Sequence, residues 1–214
     1  MKGETPASAG RIHQKQRTRS AIVAAARELL AAGGETTMSL VAKRALVSEA
    51  TAYRYFPELA ALLAEAVIKA WPTPAEALAA VAGSADPIER VGYATEVLLR
   101  DVQANAASVR TMISAAIVRP GASARIRPGR HYDLIEEALA PLAADLDPAD
   151  KEALILLKRD LAVVMSAEAF FILTDLCELD PETAIASTVR SARTITEAAL
   201  RAMQPGTPGS GMIS

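Results

Sequence analysis

Apolar residues recur at helical spacing along almost the whole of this chain, and nowhere do they alternate long enough to make a strand ladder. A stripe with that period buries itself against other helices, so the pattern predicts an all-α fold. Alanine, the best helix former, fills 46 of the 214 positions and points the same way. The spacing predicts about nine helices. The first runs over 17–32 and stops at Gly33-Gly34; short ones follow over 38–45 and 49–55, and a fourth over 58–71 ends at Pro72 and Pro74. An alanine-rich helix then fills 75–82. Asp86-Pro87, Asp147-Pro148 and Asp180-Pro181 each set an N-cap acid before a proline at the first helical position, opening helices over 87–105, 148–177 and 181–203. Glu89 supplies the acid of a capping box for the first of these. Helices over 107–118 and 130–145 lie between, the latter kinked or shortened by Pro141. The basic segment 121–129 is the longest internal break.

Charge divides the chain. Up to Phe56 there are 9 Lys and Arg against 4 Asp and Glu, a surplus of +5 hidden within a net charge of −2. A basic head on an acidic body suits a head that meets a polyanion, although a solvated basic face has the same composition. The lone Cys177 permits no intrachain disulfide, and no Cys/His cluster suggests a zinc site. The first ten residues have no apolar signal core, and the longest charge-free run of the body, 77–85, is too short to span a bilayer. These features predict a cytoplasmic protein with no membrane segment and no cofactor.

The segment 36–56, TTMSLVAKRALVSEATAYRYF, carries the most information. Val41, Ala42 and Ala45 line the inner face of one short helix. Val47 sits in a turn, Ser48 caps the next helix, and Ala52 and Tyr55 point back into the same small core. Two short helices crossing at small residues make a helix-turn-helix. Its second helix leaves Glu49, Ala50, Thr51, Tyr53 and Arg54 outward, groups able to reach phosphates and base edges.

These residues resemble the tetracycline-repressor (TetR) family of bacterial transcriptional regulators. The likeness rests on Thr36-Thr37, Ala42, Val47-Ser48, the T-x-Y-x-Y-F of 51–56, Pro57 and Ala61-Leu62-Leu63, and it is close over 17–66. Where the family often has a turn glycine, this chain has Leu46, for which a left-handed backbone is strained; a reshaped turn is expected. Glu58 and Leu59 stand where a lysine often follows the F-P, which removes one phosphate contact. The resemblance implies a flexible arm over 1–14, a DNA-binding domain over 15–66 with its motif at 38–56, an effector-binding and dimerisation domain over 67–204 and a flexible tail over 205–214.

It also implies roles. Thr37 would contact backbone phosphate as well as cap its helix. Thr51, Tyr53 and Arg54 would form the DNA face beside Glu49, with Arg54 or Thr51 reading base edges. Ser48 serves mainly as a cap, and Tyr55 bonds phosphate or packs. Lys43 and Arg44 fit either a phosphate contact or a solvated face. Arg17 and Arg19, with Lys15 before them, would pair with flanking phosphates of double-stranded operator DNA. The family binds a small effector between helices and dimerises through its last two long helices. On that pattern Trp71, Tyr93, Met112, Met165 and Phe170 are candidate effector-pocket residues, though ordinary core positions fit them too. Candidate dimer residues are Leu161, Val164 and Phe171 on one long helix, and Ile185, Val189, Ala192, Ile195 and Ala199 on the other; closing the protomer's own core is the alternative. The expected partners are therefore operator DNA, a second copy of the chain and a small, hydrophobic effector. A catalytic role is not expected. Cys177 and His131 have no supporting spacing, and there is no phosphate-binding glycine loop, H-E-x-x-H or G-x-S-x-G. Cys177 is read as a buried structural thiol, with a redox switch as the alternative.

Overall fold

The structure is a computed structural model that describes residues 6–32, 35–118, 129–144 and 146–203. Among them every regular element is helical: α1 Pro6–Ala31, α2 Met38–Arg44, α3 Glu49–Tyr55, α4 Leu59–Ala70, α5 Pro74–Ala77, a 3-10 turn Ala79–Val81, α6 Pro87–Ala104, α7 Ala106–Val118, α8 Arg130–Ala144, α9 Pro148–Val164, α10 Ala167–Phe171 continued by a π-helical turn Ile172–Leu176, and α11 Pro181–Met203. The tail 205–214, Gly33-Gly34 and nearly all of the basic segment 121–129 lie outside the described residues.

The chain forms two compact units. The first comprises residues 1–71 and 102–129, the second 72–101 and 130–214. Helix α7 is thus part of the first unit, whereas a cut by chain order at 66 puts it in the body. In the first unit α1 packs on α2 and α4, α2 on α3, and α7 on α4. Ile22, Val23, Ala26, Val41, Ala42, Ala52, Phe56, Leu62 and Leu63 fill its core. In the second, α9 packs on α8 and α11 around Leu134, Ile135, Leu139, Leu157, Leu161 and Met165, all without accessible surface to within about one per cent.

The caps act as the local sequence demands. Asp86 Oδ1 accepts from the Ile88 N–H (2.9 Å), Asp147 Oδ1 from Asp150 N–H (3.0 Å) and Asp180 Oδ1 from Thr183 N–H (3.1 Å). Glu89 does not complete a capping box: its carboxylate accepts from the Ser84 hydroxyl (2.5 Å), and it is Ser84 Oγ that takes the Asp86 N–H. The reciprocal box belongs to Thr73 and Glu76 at the start of α5. The Thr73 N–H and the Thr73 hydroxyl both donate to Glu76 Oε2 (2.8 Å each) and hold the Glu76 carboxyl below its ordinary range.

Four expected elements differ in the structure. The alanine-rich stretch 75–82 is not one helix: α5 ends at Ala77, and a 3-10 turn covers Ala79–Val81. The first helix begins at Pro6 rather than at 17, because the Ala, Arg, Gln and Lys that read as a polar tail are also strong helix formers. The stretch expected as one helix over 148–177 breaks at Met165-Ser166. Ser166 caps a new helix there, accepting from Ala169 N–H (3.1 Å) while donating to the Val163 carbonyl (2.8 Å). Pro141 neither ends nor shortens α8, which runs through it to Ala144. Proline has no N–H for the carbonyl four residues back, here that of Glu137. Buried Arg90 supplies the missing donor: its Nη2 reaches the Glu137 carbonyl at 2.7 Å, its Nε that of Ala138 at 2.9 Å, and its Nη1 that of Val81 at 2.8 Å.

A second buried arginine ties together residues at which the second unit's two segments begin and end. Arg130 Nη1 donates to the Pro72 carbonyl (2.5 Å) and Nη2 to the Asp101 carboxylate (3.4 Å). Burial pushes the Asp101 carboxyl above its usual range, and the nearby guanidinium only partly offsets this. Burial likewise lowers the Arg130 guanidinium.

Candidate nucleic-acid interface

The α2–α3 pair is built from side chains that satisfy its ends. Thr37 Oγ1 accepts from Leu40 N–H (3.3 Å) at the start of α2. Ser48 does the same for α3, taking the Thr51 N–H (3.1 Å) while its hydroxyl donates to Thr51 Oγ1 (2.9 Å). The turn between them closes by paired bonds, Val47 N–H to the Ala42 carbonyl (3.0 Å) and Leu46 N–H to that of Lys43 (3.3 Å). This is the reverse pairing that ends a helix through one left-handed residue. That residue is Leu46, at φ 55°. The turn is not reshaped around the leucine; instead Leu46 takes the strained conformation itself, its side chain 92% exposed.

Only Ala52 is buried on α3, so nearly the whole short helix is presented outward. Glu49, Ala50, Tyr53 and Arg54 are exposed, while Thr51 and Tyr55 are half-buried. The Arg54 guanidinium lies 5.7 Å from the centre of the Tyr55 ring, which restrains both. Beside this face, Gln14, Lys15 and Thr18 of α1 meet Ser48, Thr51, Arg54 and Tyr55 around an open concavity of about 560 Å3. Lys15 therefore comes from α1 to the edge of α3, and no local sequence signal would pair it with Arg54.

The remaining candidates divide. Lys43 and Arg17 are exposed and Thr37 is half-buried. Arg44 is drawn back onto α1, its Nε 2.6 Å from Glu28 Oε2. Arg19 is held by Glu65 of α4 and stacks over Phe56, 4.7 Å from the ring centre. Glu65 is missed from the sequence, and Phe56 is read there only as part of the motif; their contacts with Arg19 could be found only from the packing. Glu58 and Leu59 are half-buried where α4 begins.

The matched segment and this geometry coincide. Residues 22–66 match the description "Bacterial regulatory proteins, tetR family", which spans α1 from its middle through α2, α3 and most of α4. This segment is similar to the tetR-family module. The description is that of bacterial regulatory proteins, and the described residues as a whole have a matching all-α architecture. A solved structure described as a TetR transcriptional regulator from Rhodococcus sp. RHA1 superposes with a TM-score of 0.52 at 22% identity, over 85% of this chain and 97% of that one. That likeness extends the TetR fold beyond the matched segment. No curated protein matches the chain significantly.

Candidates outside the TetR domain fall in different surroundings. Trp71 and Met112 belong to the first unit, Tyr93, Met165 and Phe170 to the second. Met165 is fully buried in the second unit's core, and Phe170 packs edge-on against Phe171 with ring centres 5.6 Å apart. Of the dimer candidates, Leu161 and Ala192 have no accessible surface and so close the protomer's own core; Ile185 and Phe171 are also buried. Val164, Val189, Ile195 and Ala199 are half-buried. The exposed apolar side chains of the long-helix region are Ile155, Leu156 and Val163 on α9, then Ile172 and Leu176. Cys177 is exposed rather than buried, because the π-helical turn ends the helix and Glu178 (φ 54°) turns the chain away. Among the described residues no group of three or more His, Cys, Asp or Glu could hold a metal ion, and no helix is long and apolar enough to cross a membrane.

Proposed function

We propose that the protein is a homodimeric, sequence-specific DNA-binding regulator: a cytoplasmic, non-catalytic repressor that leaves its operator when a small apolar effector binds. The observation that carries this reading is the outward face of α3, with Glu49, Tyr53 and Arg54 exposed on a TetR-type segment and Lys15 brought beside them. The face combines hydrogen-bonding and cationic groups on a helix narrow enough for the major groove. Its small area favours a dimer, which reads two half-sites about 34–36 Å apart. The exposed Ile155, Leu156 and Val163 of α9, in place of the buried Leu161 and Ala192, are the side chains that support pairing with a second copy. The sign of regulation and the apolar effector follow the resemblance. Binding lowers DNA affinity by as much as the effector prefers the non-binding state.

Fluorescence anisotropy on DNA from upstream of the protein's own gene, at two salt concentrations beside an unrelated duplex, tests the reading. Tight, salt-sensitive binding that prefers the upstream DNA is expected. A folded dimer that binds neither duplex refutes it. Exposure of Cys177 favours one second reading, in which oxidation is the switch. Peroxide would then abolish DNA binding, reductant would restore it, and Cys177→Ser would remove both effects.

A further inference from the structure

We propose that Arg19 is a positioning residue for the recognition helix α3, acting through Phe56 and Glu65 rather than on a DNA phosphate. The inference rests on the DNA-binding reading and reassigns one of its cations. Both terminal nitrogens of Arg19 are committed to the two oxygens of Glu65, Nη1 to Oε1 at 2.5 Å and Nη2 to Oε2. This is the two-pronged pairing for which a guanidinium is shaped. The cationic carbon also lies 4.7 Å from the centre of the Phe56 ring. One side chain of α1 thus grips α4 by its fork and the end of α3 by its face.

Phe56 is the C-cap of α3 and is buried, its N–H bonded to the Ala52 carbonyl at 2.9 Å. The helix it ends has seven residues and buries only Ala52. So short a helix does not hold itself together in water, and its orientation comes from what packs on its ends. Ser48 secures one end. At the other, the ring beneath Arg19 ties α3 to α1, and through Glu65 to α4.

Electrostatics favour the same assignment. If Arg19 turned to a phosphate, it would leave the Glu65 carboxylate, only 22% exposed, without its fork beside a polyanion. Retaining the pair neutralises that carboxylate when DNA is bound and leaves phosphate contacts to cations with fewer commitments, such as Arg17 and Lys43.

Arg19→Lys and Glu65→Gln separate the two roles, since lysine serves a phosphate as a point charge but cannot make the fork or the stack. Hydrogen exchange on the free, full-length protein should show the Ala52–Phe56 amides exchanging faster in both variants, with the α2 amides unchanged. In anisotropy on the upstream DNA, both variants should weaken binding on the order of tenfold, with an unaltered slope of log Kd against log salt. The proposal is overturned if Arg19→Lys binds like wild type while Arg19→Gln lowers the slope by about one, the signature of a lost phosphate contact. It is also overturned if Glu65→Gln tightens binding, or if α3 exchange is unmoved in both variants. Should the wild type bind no DNA, the regulator reading fails by itself, and the exchange measurement still decides whether Arg19 holds α3.

Discussion

Replacing Arg90 by methionine tests whether this side chain substitutes for the hydrogen bond that Pro141 cannot make. Methionine retains a long apolar stem in a site where Arg90 is only 3% exposed, so the main loss is of donors. The carbonyls involved are unequal. The Val81 carbonyl also receives the Ser84 N–H at 3.1 Å, and that of Ala138 has the Leu142 N–H within reach along the helix. The Glu137 carbonyl has no helical donor, because residue 141 is proline, and its contact from Arg90 at 2.7 Å is the shortest of the set. An orphaned buried acceptor costs about 1–3 kcal/mol, and each charge-assisted bond lost adds to that, less the relief of no longer burying a cation. A destabilisation of about 3 kcal/mol follows, which lowers the melting temperature of a chain this size by roughly 6–12 °C. Pro141→Ala restores an N–H opposite Glu137. In the Arg90→Met background it should therefore recover about 1–2 kcal/mol more than it contributes in the wild type. Urea unfolding followed by circular dichroism on the four proteins of the cycle gives the coupling directly. Additive effects within about 0.3 kcal/mol would refute the substitution argument, since independent sites add to that precision.

Leu46→Gly should stabilise the protein by about 0.5–1 kcal/mol, the left-handed penalty of about 1–2 kcal/mol less the extra chain entropy of glycine; with the side chain 92% exposed, no packing is lost, and a lower urea midpoint would contradict the assignment of strain. Asp101 titrates above its ordinary range when folded, so its ionised form costs stability at neutral pH and that cost disappears as the pH falls through the folded value. The stability of wild type relative to Asp101→Asn should accordingly rise as the pH is lowered from neutrality into the carboxylate range, and unfolding curves with a pH-independent difference would show that burial does not govern this group. Val163→Asp and Leu156→Asp should each weaken self-association about tenfold or more in sedimentation measurements without changing helix content, and an unaltered dimer would place the interface elsewhere.

What was legible in the sequence is what neighbouring residues decide among themselves. The three Asp-Pro caps, the Thr37 and Ser48 caps and the small Ala42 and Ala52 at the helix crossing act over four residues or fewer along the chain or across one tight turn, so their chemistry is written locally. Local signals misled where two local solutions compete. The polar stretch after Pro6 suits an exposed helix as well as a tail, and Ser166 restarts a helix inside a stripe that reads as continuous. Glu89 has the spacing of a capping box, yet its carboxylate takes the Ser84 hydroxyl and Ser84 Oγ takes the Asp86 N–H.

The helical period, the caps, the helix-turn-helix and the outward polar face of α3 thus come from the sequence by itself, because helix geometry and terminal hydrogen bonds need no distant partner. The tertiary structure decided the rest. A stripe on α9 or α11 shows that one face is apolar but not whether it meets the protomer or a second copy, and packing assigned Leu161 and Ala192 to the core while leaving Ile155, Leu156 and Val163 outside. Arginines are equally undetermined along the chain. Arg19 finds Glu65 46 residues away, and Arg90 finds Ala138 48 residues away, because a buried or stacked guanidinium needs an acceptor at a fixed point in space.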